Sequence, residues 1–296
     1  MVTGVQNARH SRFSPAGADK VTGCKINPSP TPYAALNAVL FDFVRRAREL
    51  LAGSFVGAYL QGSFAIGGFD RYSDVDFLVV LDGDVTDEQL PLLQALHDNV
   101  YAQPSPWAQH LEGSYVPRQW LQRFPPPRRL FWYLDHGANH LTRSDHDDTL
   151  VVLWTLREKG VTLVGPRPTE LVPPVPIDRL CDEICETMST WRDYFVANPD
   201  NMNNRFYQPY VVLSYCRMLH SLTTGTVDSK PAASAWATEH LDAWWQDLIR
   251  HACDARPGDA AVKVREPADP IDLERTWQFV EYAICLGRRW KSTGSL

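Results

Sequence analysis

Leu60-Gln61-Gly62-Ser63 ends one apolar segment, and after ten further residues Asp74-Val75-Asp76-Phe77-Leu78-Val79-Val80-Leu81 begins another. The second segment alternates at its start and is then wholly apolar, the pattern of a strand buried in the middle of a sheet. Gly62 permits a sharp turn and a close backbone approach to a ligand. Ser63 begins a short helical turn whose free N–H groups and hydroxyl can hold a phosphate. Asp74 and Asp76, two apart on a strand, project from one face with their backbones about 6–7 Å apart. That separation suits carboxylates gripping two divalent cations about 3.5–4 Å apart, one on an attacking oxygen and one on a triphosphate.

Upstream, residues 1–30 are polar and aperiodic and read as a flexible tail. Leu36, Val39, Leu40, Phe43, Ala47, Leu50 and Leu51 then recur at helical spacing, with Gly53 as the stop, and Phe55–Leu60 reads as a strand. Downstream, Thr86 and Gln89 form a capping box before a helix with Leu90, Leu93, Leu96 and Val100 on its apolar side. Residues 107–116 alternate loosely and read as a further strand. Strand, helix and strand in this order predict a small α/β sheet over 31–165 with the Gly-Ser turn at one end. Gly165–Pro176 holds five prolines in twelve residues, so 166–176 reads as an extended connector without helix or central strand. Beyond it, 178–196, 208–223, 231–251 and 271–290 all read as helices, giving an all-helical domain over 177–296. The expected architecture is α/β plus all-α: a small mixed-sheet domain followed by a helical bundle.

Composition narrows the function. Hydrophobic residues make up 44% and charged residues 22%, which excludes chain-wide disorder. A net charge of −6 argues against a nucleic-acid binder with a broad basic face and tilts toward a small or cationic partner. The six cysteines include no Cys-x-x-Cys pair, and Cys181 and Cys185 fall on one helical face, as expected in a reducing compartment. The longest apolar runs, Phe77–Leu81 and Leu150–Trp154, fall far short of the about 20 residues a membrane span needs. With no apolar leader, a soluble cytoplasmic chain is expected, with neither nucleic acid nor membrane as partner.

The Gly-Ser turn after a strand, followed by Asp-x-Asp at the start of the next, resembles the nucleotidyltransferase superfamily. That resemblance implies a third carboxylate on a neighbouring strand. Glu112, within His110-Leu111-Glu112, is the candidate, either as base for an attacking hydroxyl or as a further metal ligand. Glu170 and acids of the helical half stay open as alternatives. Two more stretches, Val211–Ser221 with Arg217 and Thr224–Ala237 with Lys230, resemble the streptomycin/spectinomycin adenylyltransferases, as does Gly160–Pro166. The resemblance implies a nucleotidyltransferase domain plus a helical domain, with ATP and Mg²⁺ (two ions) bound between them. Asp74, Asp76 and Glu112 would serve catalysis and metal, and Gly62, Ser63, Ser73, Arg217 and Lys230 the nucleotide. The implied reaction transfers AMP from ATP to a hydroxyl of a small acceptor, cationic in the aminoglycoside case, as in antibiotic resistance. The alternatives are adenylylation of another metabolite or of a protein side chain, or nucleotide binding without catalysis.

One departure bears on the acceptor. The resemblance implies an acidic residue with an aromatic neighbour just before the helix near Pro209, but Arg205-Phe206-Tyr207-Gln208 stands there, and Asp200 is the nearest acid upstream. His136, His140 and His146, with Asp145, Asp147 and Asp148, match no standard metal-ligand spacing and read as a polar loop and helix cap facing the cleft. Trp236, Trp244, Trp245, Trp277 and Trp290 read as helix-packing core, with one ring available to stack on adenine.

Overall fold

The computed structural model describes residues 27–71, 73–122, 128–256 and 260–293. Residues 1–26 of the expected tail lie outside them, while Asn27 already hydrogen-bonds its backbone N–H to Leu163 O at 3.3 Å.

Helix α1 (Ala34–Leu51) leads into strand β1 (Phe55–Leu60), the short helix α2 (Gly62–Ile66) and strand β2 (Val75–Leu81). Helix α3 (Gln89–Tyr101) follows its capping box, in which Thr86 N donates to Gln89 Oε1 at 3.0 Å and Gln89 N donates to Thr86 Oγ1 at 3.3 Å. Strands β3 (Leu111–Pro117), β4 (Phe131–Leu134) and β5 (Leu141–Ser144) precede helix α4 (Leu150–Lys159) and strand β6 (Val161–Val164). The six strands form one mixed sheet in the order β5-β4-β3-β2-β1-β6, with β2 and β3 parallel. Strands β4, β5 and β6 are four residues long, too short for alternation to announce them.

The period-two geometry of the central strands divides the core. Val75, Phe77, Val79 and Leu81 of β2 pack on the face covered by α1 and α3, whereas Leu78 and Val80 join the cluster that continues into the later helices. Asp74 and Asp76 share the parity of Leu78 and Val80. On β3, Leu111 and Tyr115 pack with the first face and Val116 with the second, so Glu112 shares the second face.

The helical half comprises α5 (Pro168–Leu171), α6 (Ile177–Ala197), α7 (Pro199–Met202), α8 (Tyr207–Thr224), α9 (Lys230–His240), α10 (Gln246–Ala255), α11 (Ala260–Lys263) and α12 (Pro270–Thr293). The connector is therefore not wholly extended: Pro168 occupies the first position of the single-turn α5, where its missing N–H costs nothing. The helix expected over 231–251 is two helices, because Asp242 turns its carboxylate to accept from Trp244 N at 2.8 Å and starts a new segment. That break also carries Trp244 out of the core: it is 64% exposed beneath Arg275, while Trp245 packs on Phe279 and Tyr282. The two halves are also joined where Glu183 of α6 accepts from Leu150 N at 2.7 Å and so caps α4 from outside. No helix among the described residues is long and apolar enough to cross a membrane.

Candidate active site

The turn between β1 and α2 is shaped by its neighbour. Gly62 adopts φ +55°, and a Cβ there would collide with the Asp76 carboxylate. Glycine is thus required both by conformation and by the nearness of the acid. The hydroxyl of Ser63 is buried with no hydrogen-bond partner, a polar atom in need of a ligand. Ser73, by contrast, closes its own loop, accepting from Asp70 N at 2.8 Å.

In the parallel β2–β3 register Asp76 stands directly opposite Glu112. Adjacent strands lie about 4.8 Å apart, so same-face side chains at this register are immediate neighbours. Burial, then the charges of Glu112, Asp74 and Asp147, push the Asp76 carboxyl up to about 8. Glu112, 9% exposed, is likewise pushed up to about 8 by burial, with Asp74, Asp147 and Asp135 adding to the rise and a hydrogen bond from Tyr133 opposing it. The Tyr133 hydroxyl donates to Glu112 Oε1, and His146 Nε2 lies 3.3 Å from the same oxygen while its ring stacks on Tyr133. His136 Nε2 lies 3.3 Å from Asp74 Oδ1 and 3.1 Å from His110 Nδ1.

Opposite the acids stand three cations. Lys230 opens α9, with its Nζ 3.9 Å from the ring centroid of Tyr210 on α8. Burial, reinforced by the charges of Arg217 and Arg256, lowers its pKa to about 7, and Asp74 and Asp76 act in the opposite sense. Arg256, just past α10, donates from Nη2 to Gly68 O at 2.9 Å and lies 3.6 Å from Asp70 Oδ2. It thus ties the helical half to the loop leaving the Gly-Ser turn. Beside these cations lies a cavity of about 210 Å³ lined by Asp70, Leu213, Pro231, Ser234, Cys253 and Arg256.

The structure therefore gathers Gly62, Ser63, Asp74, Asp76 and Glu112 on the sheet and faces them with Arg217 and Lys230. Ser73 belongs to the loop beside them, with its hydroxyl already engaged. His136 and His146 lie against the acids as parts of the polar segment expected to face the cleft, His146 from an exposed position; His140 is exposed as well. Glu170 is exposed and its carboxylate accepts from Arg167 N at 3.2 Å, capping its own helix. Arg256 has no counterpart in the sequence reading, and Asp147 is read there only as one member of the cleft-facing loop and cap. Asp147 looked like one acid in a polar loop, and only burial distinguishes it from Asp145. Arg256 follows a helix with no motif around it.

The acids suit a divalent cation. Carboxylate oxygens are the donors Mg²⁺ prefers, and a bound cation offsets both the burial and the neighbouring negative charges that push Asp76 and Glu112 up. As they stand, no three His, Cys, Asp or Glu side chains among the described residues form a closed ligand set. Asp74 is turned toward His136, and Glu112 toward Tyr133 and His146.

Comparison with known proteins bears on the two halves of the chain. Residues 43–116 match the nucleotidyltransferase domain and residues 170–279 the C-terminal domain of aminoglycoside adenylyltransferases. An aminoglycoside (3'') (9) adenylyltransferase of Escherichia coli is 28% identical over 258 residues, covering 84% of this chain and 94% of the relative. A spectinomycin 9-adenylyltransferase of Campylobacter jejuni is 22% identical over 226 residues, covering 72% and 82%. The crystal structure of a spectinomycin adenylyltransferase from Enterococcus faecialis with ATP and spectinomycin superposes with a TM-score of 0.63 at 17% identity, covering 84% of this chain and 98% of that one, which extends the likeness of fold across both halves. The chain is an enzyme with a nucleotidyltransferase domain, joined to a region that matches the C-terminal domain of aminoglycoside adenylyltransferases.

Proposed function

We propose that the enzyme transfers AMP from ATP to a hydroxyl of a small, aminoglycoside-type acceptor and releases pyrophosphate. The observation that carries this reading is the register of Asp76 against Glu112 beneath the Gly62-Ser63 turn. Asp74 and Asp76, with Glu112 beside them, would hold Mg²⁺, which when bound neutralises the triphosphate and aligns it for in-line attack. The Gly62 turn lets backbone approach the triphosphate, and the unpartnered Ser63 hydroxyl donates to it. Arg217, Lys230 and Arg256 offset its negative charge from the other side. The cavity beside Arg256 is where the nucleoside would lie.

Glu112 takes the proton from the acceptor hydroxyl, and the hydroxyl oxygen then attacks the α-phosphorus as the bond to pyrophosphate breaks. A raised carboxyl, oriented by the Tyr133 hydroxyl, suits a general base working near neutral pH. Holding both reactants in line supplies most of the acceleration.

A second reading, adenylylation of a different metabolite or a protein side chain, draws support from residues 205–208. No carboxylate lies among them, and the Glu266 carboxylate that reaches Arg205 at 2.8 Å is already paired with it, so these four residues offer a polycation no unpaired counter-charge. Incubation with ATP, Mg²⁺ and streptomycin or spectinomycin decides between them. Drug-dependent pyrophosphate release supports the first reading; silence across a drug panel, with labelled AMP passing to a protein or metabolite fraction, moves the assignment to the second.

A further inference from the structure

Asp147 is 2% exposed and lies three residues before α4, at the end of a segment otherwise open to solvent. Its Oδ1 accepts from Gln61 Nε2 at 3.1 Å, and its Oδ2 is buried without a well-formed partner. Gln61, 5% exposed, immediately precedes Gly62 and also donates its backbone N–H to Asp76 O at 2.9 Å. The turn is therefore held at two points, one on β2 and one on the segment before α4. An acid here carries an electrostatic cost, because its charge adds to the repulsion already felt by Asp76 and Glu112. A side chain selected only to fill space would not be a carboxylate. A carboxylate does fix an amide more firmly than a neutral acceptor does, and the amide it fixes is the one that sets the position of Gly62.

We infer that Asp147 is a positioning residue, acting through Gln61 to hold the Gly62-Ser63 turn in register with Asp76 for the triphosphate. It touches no reacting atom; its effect is on where the turn sits. This inference rests on the nucleotide reading above, and the test separates the two. Binding of Mg²⁺ and a non-hydrolysable ATP analogue to the full chain is measured by calorimetry for wild type, Asp147→Ala, Asp147→Asn, Gln61→Ala and the double variant Asp147→Ala/Gln61→Ala. Each alanine variant should weaken binding about tenfold, and the double variant should be no weaker than either single one, because both remove the same bond. Asp147→Asn, which keeps an acceptor oxygen, should stay within about threefold of wild type. KM for ATP should rise in step while kcat at saturating ATP changes little.

Alanine variants that bind like wild type, losses that simply add, or an Asn variant as weak as Ala would each overturn the inference. The last result would mean that charge, and not the bond to Gln61, is what matters. Should Asp147→Ala fail to fold, Gln61→Ala and Asp147→Asn decide alone: a tenfold loss in the first with near-normal binding in the second supports the inference, and any other pairing defeats it. A wild-type chain that binds no nucleotide defeats the inference together with the nucleotide reading, whereas tight wild-type binding with unaffected variants defeats the inference alone.

Discussion

The two walls facing each other across the site carry opposite charge and are assembled by different means. The sheet wall is acidic, and its Asp74, Asp76 and Glu112 are placed by strand period and strand register. The helical wall is cationic, with Arg217, Lys230 and Arg256 coming from α8, the start of α9 and the end of α10. Strand geometry fixes a neighbour within one or two residues of sequence or one register step. Helix packing brings together residues dozens of positions apart, with no local pattern to record it. The acidic wall should therefore be intolerant of change, and the cationic wall graded.

The sharpest way to break that contrast is Asp76→Asn. It removes one charge at nearly constant volume from a carboxyl squeezed between Glu112, Asp74 and Asp147. Pyrophosphate release should fall at least about 10³-fold, equivalent to about 4 kcal/mol of transition-state stabilisation. Relief of the repulsion should leave the melting temperature unchanged or raised. A variant that keeps a tenth of its activity, or that loses activity only by unfolding, would show that the acidic wall does not hold the reacting phosphate.

On the opposite wall, Lys230→Met should raise KM for ATP by about 10–100-fold with a smaller change in kcat, in line with the roughly 1.5–3 kcal/mol of a hydrogen bond to a charged group. An unchanged KM would remove Lys230 from the nucleotide site and leave it only its contact with the Tyr210 ring. Arg256→Met is the milder case. Its guanidinium is already engaged with Gly68 O and Asp70, so its loss should cost about 3–10-fold in KM for ATP, or about 1 kcal/mol. If Arg256 proved more damaging than Lys230, the order within the cationic wall would reverse, and the tie to the 67–70 loop would be its main element.

The same contrast explains what the sequence could disclose. The turn at 61–63, the acids at 74 and 76, the buried strand behind them and the helices α1, α3, α6, α8 and α12 all follow from local spacing, capping and period. Glu112 was reachable only through the family resemblance, which implies a third carboxylate on a neighbouring strand; the local pattern alone does not single it out. Strands β4, β5 and β6 were not reachable, since four residues are too few to show a period, and β6 pairs with β1, about a hundred residues earlier. The break between α9 and α10 has no Gly or Pro to mark it and depends on one aspartate turning back on its own backbone. Arg256, and what sets Asp147 apart from the other acids of its cleft-facing loop, were invisible for a different reason. Nothing near them differs from solvent-exposed polar sequence until the fold buries Asp147 and carries Arg256 across to Gly68. Even Trp244, one of a row of tryptophans that read as core, is expelled because its neighbour Trp245 takes the inward position at the turn.

The smallest effect sharpens the comparison by lying outside both walls. His97 of α3 is fully buried on the other face of the sheet, against Phe43 and Phe77, with Nε2 2.8 Å from the Tyr115 hydroxyl. Burial lowers its pKa to about 3, while in the unfolded chain a histidine titrates near 6.5. Between those values the unfolded state binds the proton and the folded state does not. The stability that His97 supports is therefore present above about pH 6.5 and is lost progressively as pH falls toward 3. From pH 7 to pH 6 this group alone should remove about 0.7 kcal/mol. Denaturant unfolding of wild type and His97→Gln at the two pH values checks it: the variant should show a smaller decrease, while its KM for ATP stays at the wild-type value. An equal decrease in both proteins would transfer the acid sensitivity elsewhere in the fold. A shift in KM would show that the two faces of the sheet are coupled, and the acidic wall could then no longer be treated as a rigid platform whose geometry is set by β2 and β3 alone.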